Sequence, residues 1–257
     1  AGNLTLTASP TAAAGGKTLT LTGSTAGIAE YAAVIGNIFS NGGNLTTTAN
    51  AAFTAAVNTI TVDSVTDVVV GSTIGGTGIA AGTRVSAISG AGPFTLTLSA
   101  NTSGAGTAGQ AITFTPTVAI SKTGTGLWKF SADNTYTGIT AITGGILEIS
   151  HANALGDVTR GTTQSGASEL RLTGNITTAA EPLTINAGGI NNNLGALRNF
   201  SGDNTYAGPI TMAAQSRINS DSGTLTLNAT TAISGAFNLV VGGAGNTTIS
   251  GGMAQGV

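Results

Sequence analysis

The chain has 257 residues, of which only 7% are charged, and its eight basic and ten acidic side chains leave a net charge of −2. This excludes a nucleic-acid footprint, which calls for clustered Lys and Arg, and the 4% aromatic content is too low for a base-stacking platform. The absence of cysteine excludes disulfides, thiolate nucleophiles and Cys-based metal sites, and no apolar run approaches the ~20 residues that span a bilayer.

Low charge with abundant Gly and Ser can signal disorder. Here 40% of the residues are hydrophobic, and they alternate with Thr in short regular runs, which is the signature of half-buried strands. The N-terminal residues, Ala1 to Thr5, form neither a basic region nor a signal core, and the text reads as a processed product or an excerpt of something longer. Strands are predicted at Leu4–Thr7 and Thr18–Thr22. Ile28 to Phe39 is the best helical candidate, weakened by Gly36, Asn37 and β-branched residues.

The strand pattern recurs at Thr95–Leu98, within a middle interval that also contains the runs Thr59–Val62, Val68–Ile74 and Gly76–Val85. Further strands follow at Ile146–Ile149, Leu170–Thr173 and Thr224–Leu227. Gly-Gly, Asn-Gly and Ala-Gly pairs between them supply the positive φ of tight turns. The class is all-β.

Within that class an internal repeat decides the architecture. The run from Phe130 to Gly138 returns from Phe200 to Gly208, 70 residues later, with seven of nine positions identical. Fixed-period self-similarity indicates stacked copies of one unit. Seventy residues correspond to about three coils of roughly 20 to 25 residues, favouring a parallel β-solenoid over an antiparallel sandwich. Thr and Asn at repeated positions can form hydrogen-bonded ladders along such a stack.

The same residues carry a family resemblance. Lys122, Gly124, Gly126, Trp128 and Ser131, then Asn134-Thr135-Tyr136-Thr137-Gly138, then Gly144–Ile149 and Ala152–Gly156, resemble the passenger-associated repeat of bacterial autotransporters. The resemblance spans residues 118 to 156 and returns from Gly195 to Leu227. It implies a right-handed parallel β-helix, on the cell surface or released from it. Ala132, Lys129 and Phe130 depart from the family pattern without touching what the fold requires. A second resemblance covers the middle, where Gly76-Thr77-Gly78-Ile79 and Ala81-Gly82-Thr83-Arg84-Val85 are similar to a small β-module of bacterial surface and phage fibre proteins. The expected organisation is therefore N-terminal β-helix coils over 1–50, an inserted β-module over 51–117 and C-terminal β-helix coils over 118–257. The strands before Thr48 and after Val118 are expected to be sequential coils.

Candidate chemistry is sparse. Hydrolysis of a glycosidic bond requires two carboxylates at a set separation, and only Asp63 and Asp67 are near neighbours, in text that reads as a turn with side-chain caps. Asp133-Asn134 and Asp203-Asn204 could share an edge of the stack and offer oxygens to Ca²⁺. That ion wants six or more ligands, and a structural turn is the stronger reading. His151, the only histidine, cannot form a zinc site unaided and is expected to cap a turn before Asn153. No Gly-x-Ser-x-Gly elbow accompanies it. Trp128 and Phe130 share a strand face by alternation and are expected in the core. The Gly75-Gly76-Thr77-Gly78 text lacks the lysine of a phosphate loop. Sequons at Asn3, Asn44, Asn175 and Asn246 are chance products of an Asn/Thr-rich chain.

No catalytic, cofactor-binding or metal-binding residue is therefore assigned, and no cofactor is expected. The expected role is a non-enzymatic extracellular stalk or adhesive surface. Its partners would be cell-surface or matrix components, carbohydrate included, and neighbouring coils or copies at the open ends of the helix, with no nucleic acid and no membrane-spanning segment. The alternative is a filament subunit stacked end to end. A polysaccharide-active enzyme is the third reading. Each coil adds ~4.8 Å, so the solenoid residues give a stack of roughly 40 Å.

Overall fold

A computed structural model describes residues 4–9, 16–24, 27–37, 45–66, 68, 70–115, 117–190 and 193–254. It divides into two compact units, one of residues 1–9, 18–36 and 119–257, the other of residues 10–17 and 37–118. No α-helix occurs among the described residues, and the segment from Ile28 begins instead with a strand.

The first unit is a parallel β-solenoid. Sheet A stacks β1 (Leu4–Leu6), β3 (Ile28–Tyr31), β11 (Leu127–Phe130), β13 (Gly145–Ile149), β15 (Ser168–Leu172), β17 (Leu197–Asn199), β20 (Ser216–Ser220) and β23 (Leu239–Gly242). Sheet B stacks β2 (Lys17–Leu21), β10 (Val118–Lys122), β12 (Thr140–Ile142), β14 (Thr162–Ser165), β16 (Leu183–Asn186), β19 (Ile210–Met212), β22 (Thr231–Ser234) and β25 (Gly252–Met253). A third face becomes a regular sheet only in the later coils, with β18 (Asn204–Tyr206), β21 (Thr224–Leu227) and β24 (Asn246–Ile249). The chain leaves this unit after Gly36 and rejoins it at Ala119, and β3 pairs directly with β11, Ile28 opposite Leu127 and Tyr31 opposite Phe130.

Parallel pairing in register puts like positions over like positions, so the core is a set of columns. One runs Tyr31, Phe130, Ile149, Leu172, Asn199, Ser220, every member buried. Its first two rings meet edge to face at 6.4 Å, a favourable quadrupole geometry. On sheet B the column Lys122, Ile142, Gln164, Ile185, Met212 mixes apolar and polar side chains, and the polar ones serve the corner into sheet A. Lys122 Nζ donates to the carbonyls of Thr123, Gly124 and Gly144 at 2.7, 3.0 and 2.8 Å. Gln164 Nε2 donates to the Gly166 and Ser168 carbonyls. At that corner Gly145 has φ +63°, and a Cβ there would lie 2.5 Å from the Gly126 carbonyl, so only glycine fits.

The Asn-Thr-Tyr repeats sit at the other corner. Asn134 Oδ1 accepts from Ile35 N–H at 2.8 Å and its Nδ2 donates to the Ala154 carbonyl at 2.7 Å, bridging the coils on either side. Asn204 Oδ1 accepts in the same way from Ile176 N–H at 2.8 Å. Tyr136 and Tyr206 are wholly buried and occupy equivalent corners. Their hydroxyls bond Thr140 Oγ1 at 2.6 Å and the Glu181 carbonyl at 2.8 Å.

The second unit is antiparallel. β4 (Leu45–Thr48), β9 (Ala111–Thr115) and β6 (Thr73–Gly75) form one sheet; β5 (Thr59–Val62), β8 (Phe94–Leu98) and β7 (Val85–Ser89) form another. Ile60, Val62, Ile74, Val85, Leu96, Ile112 and Phe114 make a shared core. Leu45–Thr48, read from the sequence as part of the N-terminal coils, instead pairs antiparallel with Phe114–Ala111. The alternation of a Leu-Thr-Thr-Thr run fixes which residues face inward but not the direction of the partner strand.

Candidate interaction surface

The outer face of sheet A carries a charge ladder that runs up the coils. Strand register stacks Glu30, Lys129, Glu148, Arg171, Arg198 and Asn219 in one outward column. In a chain with so few charges this concentration is the main electrostatic feature of the solenoid. Glu169, fully buried, lies between two guanidinium groups: Arg171 Nε donates to its Oε1 at 2.6 Å and Arg198 Nη1 approaches its Oε2 at 3.4 Å. Arg171 Nη1 also faces Glu148 Oε2 at 3.8 Å.

Arg198 continues the network to Asp221, its Nε donating to Oδ2 at 3.0 Å and its Nη2 bonding the same oxygen. Burial works against the Arg198 charge, but the bonds to Asp221 and the field of Glu169 prevail and hold its pKa above the ordinary value. Burial likewise opposes the Asp221 charge, and hydrogen bonds from Arg198 and Asn219 overcome it, keeping this carboxyl below its usual range. Phe200 is the exposed member of the cluster, with the Arg171 and Arg198 guanidinium carbons 4.6 and 5.3 Å from its ring centroid, within cation–π reach.

Further along the same face, Arg217 Nε and Nη2 donate to Asn219 Oδ1 at 3.2 and 3.1 Å. A cavity of about 300 Å³ opens beside it, lined by Gly188, Gln215, Ser216, Arg217 and Val240.

The residues singled out from the sequence do not converge. Asp63 is in the antiparallel unit, fully exposed, accepting from Thr48 Oγ1 and from Asn50 Nδ2 at 2.8 Å, and these bonds lower its pKa. Its neighbour Asp67 lies outside the described residues, as do Asn3 and Asn44. Asp133 Oδ1 accepts from Asn153 Nδ2 at 2.9 Å, and Asp203 Oδ1 from Thr224 N–H at 2.8 Å, so both carboxylates tie one coil to the next. His151 Nδ1 accepts from Asn153 N–H at 3.2 Å, capping the turn. Asn175, with φ +59°, accepts from Asp203 N–H through its side chain, and Asn246 stands at the start of β24. Phe130 is core, whereas Trp128 is only half-buried and sends its indole N–H to the Thr22 carbonyl at 3.0 Å. Gly75 ends β6, and Gly78 takes φ +78° in the turn after it. No group of three or more His, Asp or Glu side chains among the described residues could hold a metal ion.

The charge ladder was not anticipated from the sequence. Its signal is present once the strands are aligned, because Lys129, Glu148, Arg171 and Arg198 each hold the single outward position between two inward residues.

Residues 120–149 match the family model of the passenger-associated-transport-repeat. The match runs from β10 through the Asn134 corner to the end of β13, and the second Asn-Thr-Tyr copy lies outside it. No curated protein and no solved structure matches the chain. The chain thus carries a passenger-associated-transport-repeat in a parallel β-solenoid, and this combination fits a segment of an autotransporter passenger.

Proposed function

We propose that the chain is a non-enzymatic, extracellular segment of an autotransporter-like surface protein, acting as a stalk whose outer sheet A face is a binding surface. The observation that carries this reading is the charge ladder with its exposed Phe200. Buried ion pairs are expensive to assemble and contribute little net stability, so a column of them on one face of an otherwise Thr- and Asn-rich solenoid is better explained by recognition. Exposed aromatic and Arg side chains are the usual anchors of such surfaces.

The test is adhesion of the purified chain to immobilised matrix proteins and polysaccharides, with Phe200→Asp as the altered surface. Saturable binding weakened at least tenfold by the substitution supports the reading, and absence of binding to every surface overturns it. Release of reducing ends from any polysaccharide would instead establish the enzyme reading.

A further inference from the structure

Arg217 differs from the other arginines of sheet A. Arg171 and Arg198 are neutralised by carboxylates, whereas the described partner of Arg217 is the neutral Asn219 amide. That contact occupies the Nε side of the guanidinium and leaves the end-on pair of N–H donors, one from each Nη, directed elsewhere. The group lies over Gly242, where a Cβ would stand 2.1 Å from Nη2. Glycine at that point makes room for the fork.

The cavity beside it, about 300 Å³, is at the small end of ligand pockets, which run from roughly 300 to 1,000 Å³. Its lining is mixed. Gln215 is exposed and offers an amide, whereas Ser216 is buried and its Oγ donates to the Ala214 carbonyl at 2.9 Å. Val240, 38% exposed, gives an apolar patch. A half-buried cation with an end-on pair of donors, one exposed amide and one apolar contact match the groups displayed by a sugar ring bearing a carboxylate.

We infer that this cavity is a subsite for a uronic acid residue of an acidic polysaccharide, an inference that rests on the binding-surface reading above. Arg217 takes the carboxylate end-on through two parallel hydrogen bonds, a planar match that a lysine ammonium does not provide. Gln215 meets a ring hydroxyl, and Val240 packs on the C–H face.

The test is calorimetric titration of the whole chain with trigalacturonate, with the neutral galactotriose and a sulfated galactotriose as comparisons. Trigalacturonate is expected to bind saturably, at least tenfold more tightly than either. Arg217→Gln and Arg217→Lys should each weaken it tenfold or more. Val240→Glu, which sets a competing carboxylate beside the intact guanidinium, should do the same, and Arg160→Gln, at an exposed turn outside sheet A, should not. Circular dichroism and the melting temperature certify the fold of each variant. Equal binding of the neutral sugar, tighter binding of the sulfated one, or full affinity in folded Arg217→Gln and Val240→Glu would overturn the assignment. Adhesion to matrix surfaces without trigalacturonate binding would overturn this subsite and leave the binding-surface reading standing, and loss of both would remove both.

Discussion

Phe130 and Phe200 hold the same place in the repeated run and lie on opposite sides of sheet A. The register carries Phe130 through Ile149 and Leu172 to Asn199, one residue before Phe200. Side-chain direction in a strand has a period of two, so a one-residue slip exchanges inside for outside. Phe130 is fully buried while Phe200 is 42% exposed beneath two guanidinium groups. Equivalence returns at Asn134 and Asn204 because the later corner holds one more residue, with Gly202 at φ +87°.

This relationship predicts unequal effects from the same substitution. Phe130→Ala should destabilise the solenoid by about 3–5 kcal/mol, the range for a buried phenylalanine truncated in a close-packed core. Phe200→Ala should lose about 1–2 kcal/mol, since it forfeits partial burial and two cation–π contacts of about 0.5–1 kcal/mol each. Urea unfolding of both variants checks it, and equal losses would mean that both rings are core.

Much of the fold was legible because its periodicities are local. Alternating Thr and Leu at Thr18–Thr22 and Thr224–Leu227 specifies strands, and the 70-residue copy specifies stacking. Leu45–Thr48 shows where such reading stops, because alternation is blind to whether the neighbour runs parallel or antiparallel. The surface was less legible for a related reason. Glu148, Arg171 and Arg198 are 23 and 27 residues apart, so the coils between them differ in length and no fixed spacing brings the charges together. Only the strand register does so.

The corner lysine should be indispensable in a way its surface neighbour is not. Lys122 is completely buried, and burial pulls its pKa down to about 8, while three backbone carbonyls hold the ammonium. Lys122→Met keeps the unbranched stem and removes every one of those donors. Each unsatisfied buried acceptor costs about 1–3 kcal/mol, so the variant should lose at least about 2 kcal/mol. Lys129→Met, on the outer face, should stay within about 1 kcal/mol of the parent in the same melt.

Glu169 is the point where the charge ladder is most exposed to failure. Glu169→Gln leaves Arg171 and Arg198 facing a neutral group in a dry site, and breaking a buried pair from one side typically costs about 3–5 kcal/mol. Each arginine retains a second carboxylate, Glu148 and Asp221 respectively, so the lower end of that range is expected. Combining Glu169→Gln with Arg171→Met should recover part of the loss, and a double-mutant cycle in guanidinium chloride measures the coupling. A purely additive cycle would show that the two charges do not sense each other.

Glu181 should give the solenoid its main pH sensitivity on the alkaline side of its ordinary titration. Its side chain is buried in the corner beneath Tyr206, with Oε1 accepting from Thr162 Oγ1 at 3.0 Å and Oε2 without a partner. Burial raises its pKa from 4.5 to about 8, opposed by the Thr162 bond and reinforced by Asp157. Below pH 4.5 the acid is protonated in both folded and unfolded chains, and its contribution to stability is fully present. As pH rises from about 4.5 to 8 the unfolded chain releases the proton while the folded chain keeps it, so stability falls through this window and levels off above it. At about 1.4 kcal/mol per pH unit, the loss approaches roughly 3 kcal/mol by pH 7. Glu181→Gln retains the shape and cannot ionise. Its stability relative to the parent should therefore rise between pH 4.5 and 8 and stay level outside that interval, as read from urea midpoints across the range. A difference independent of pH would place the carboxylate in contact with water and remove the buried acid from the account.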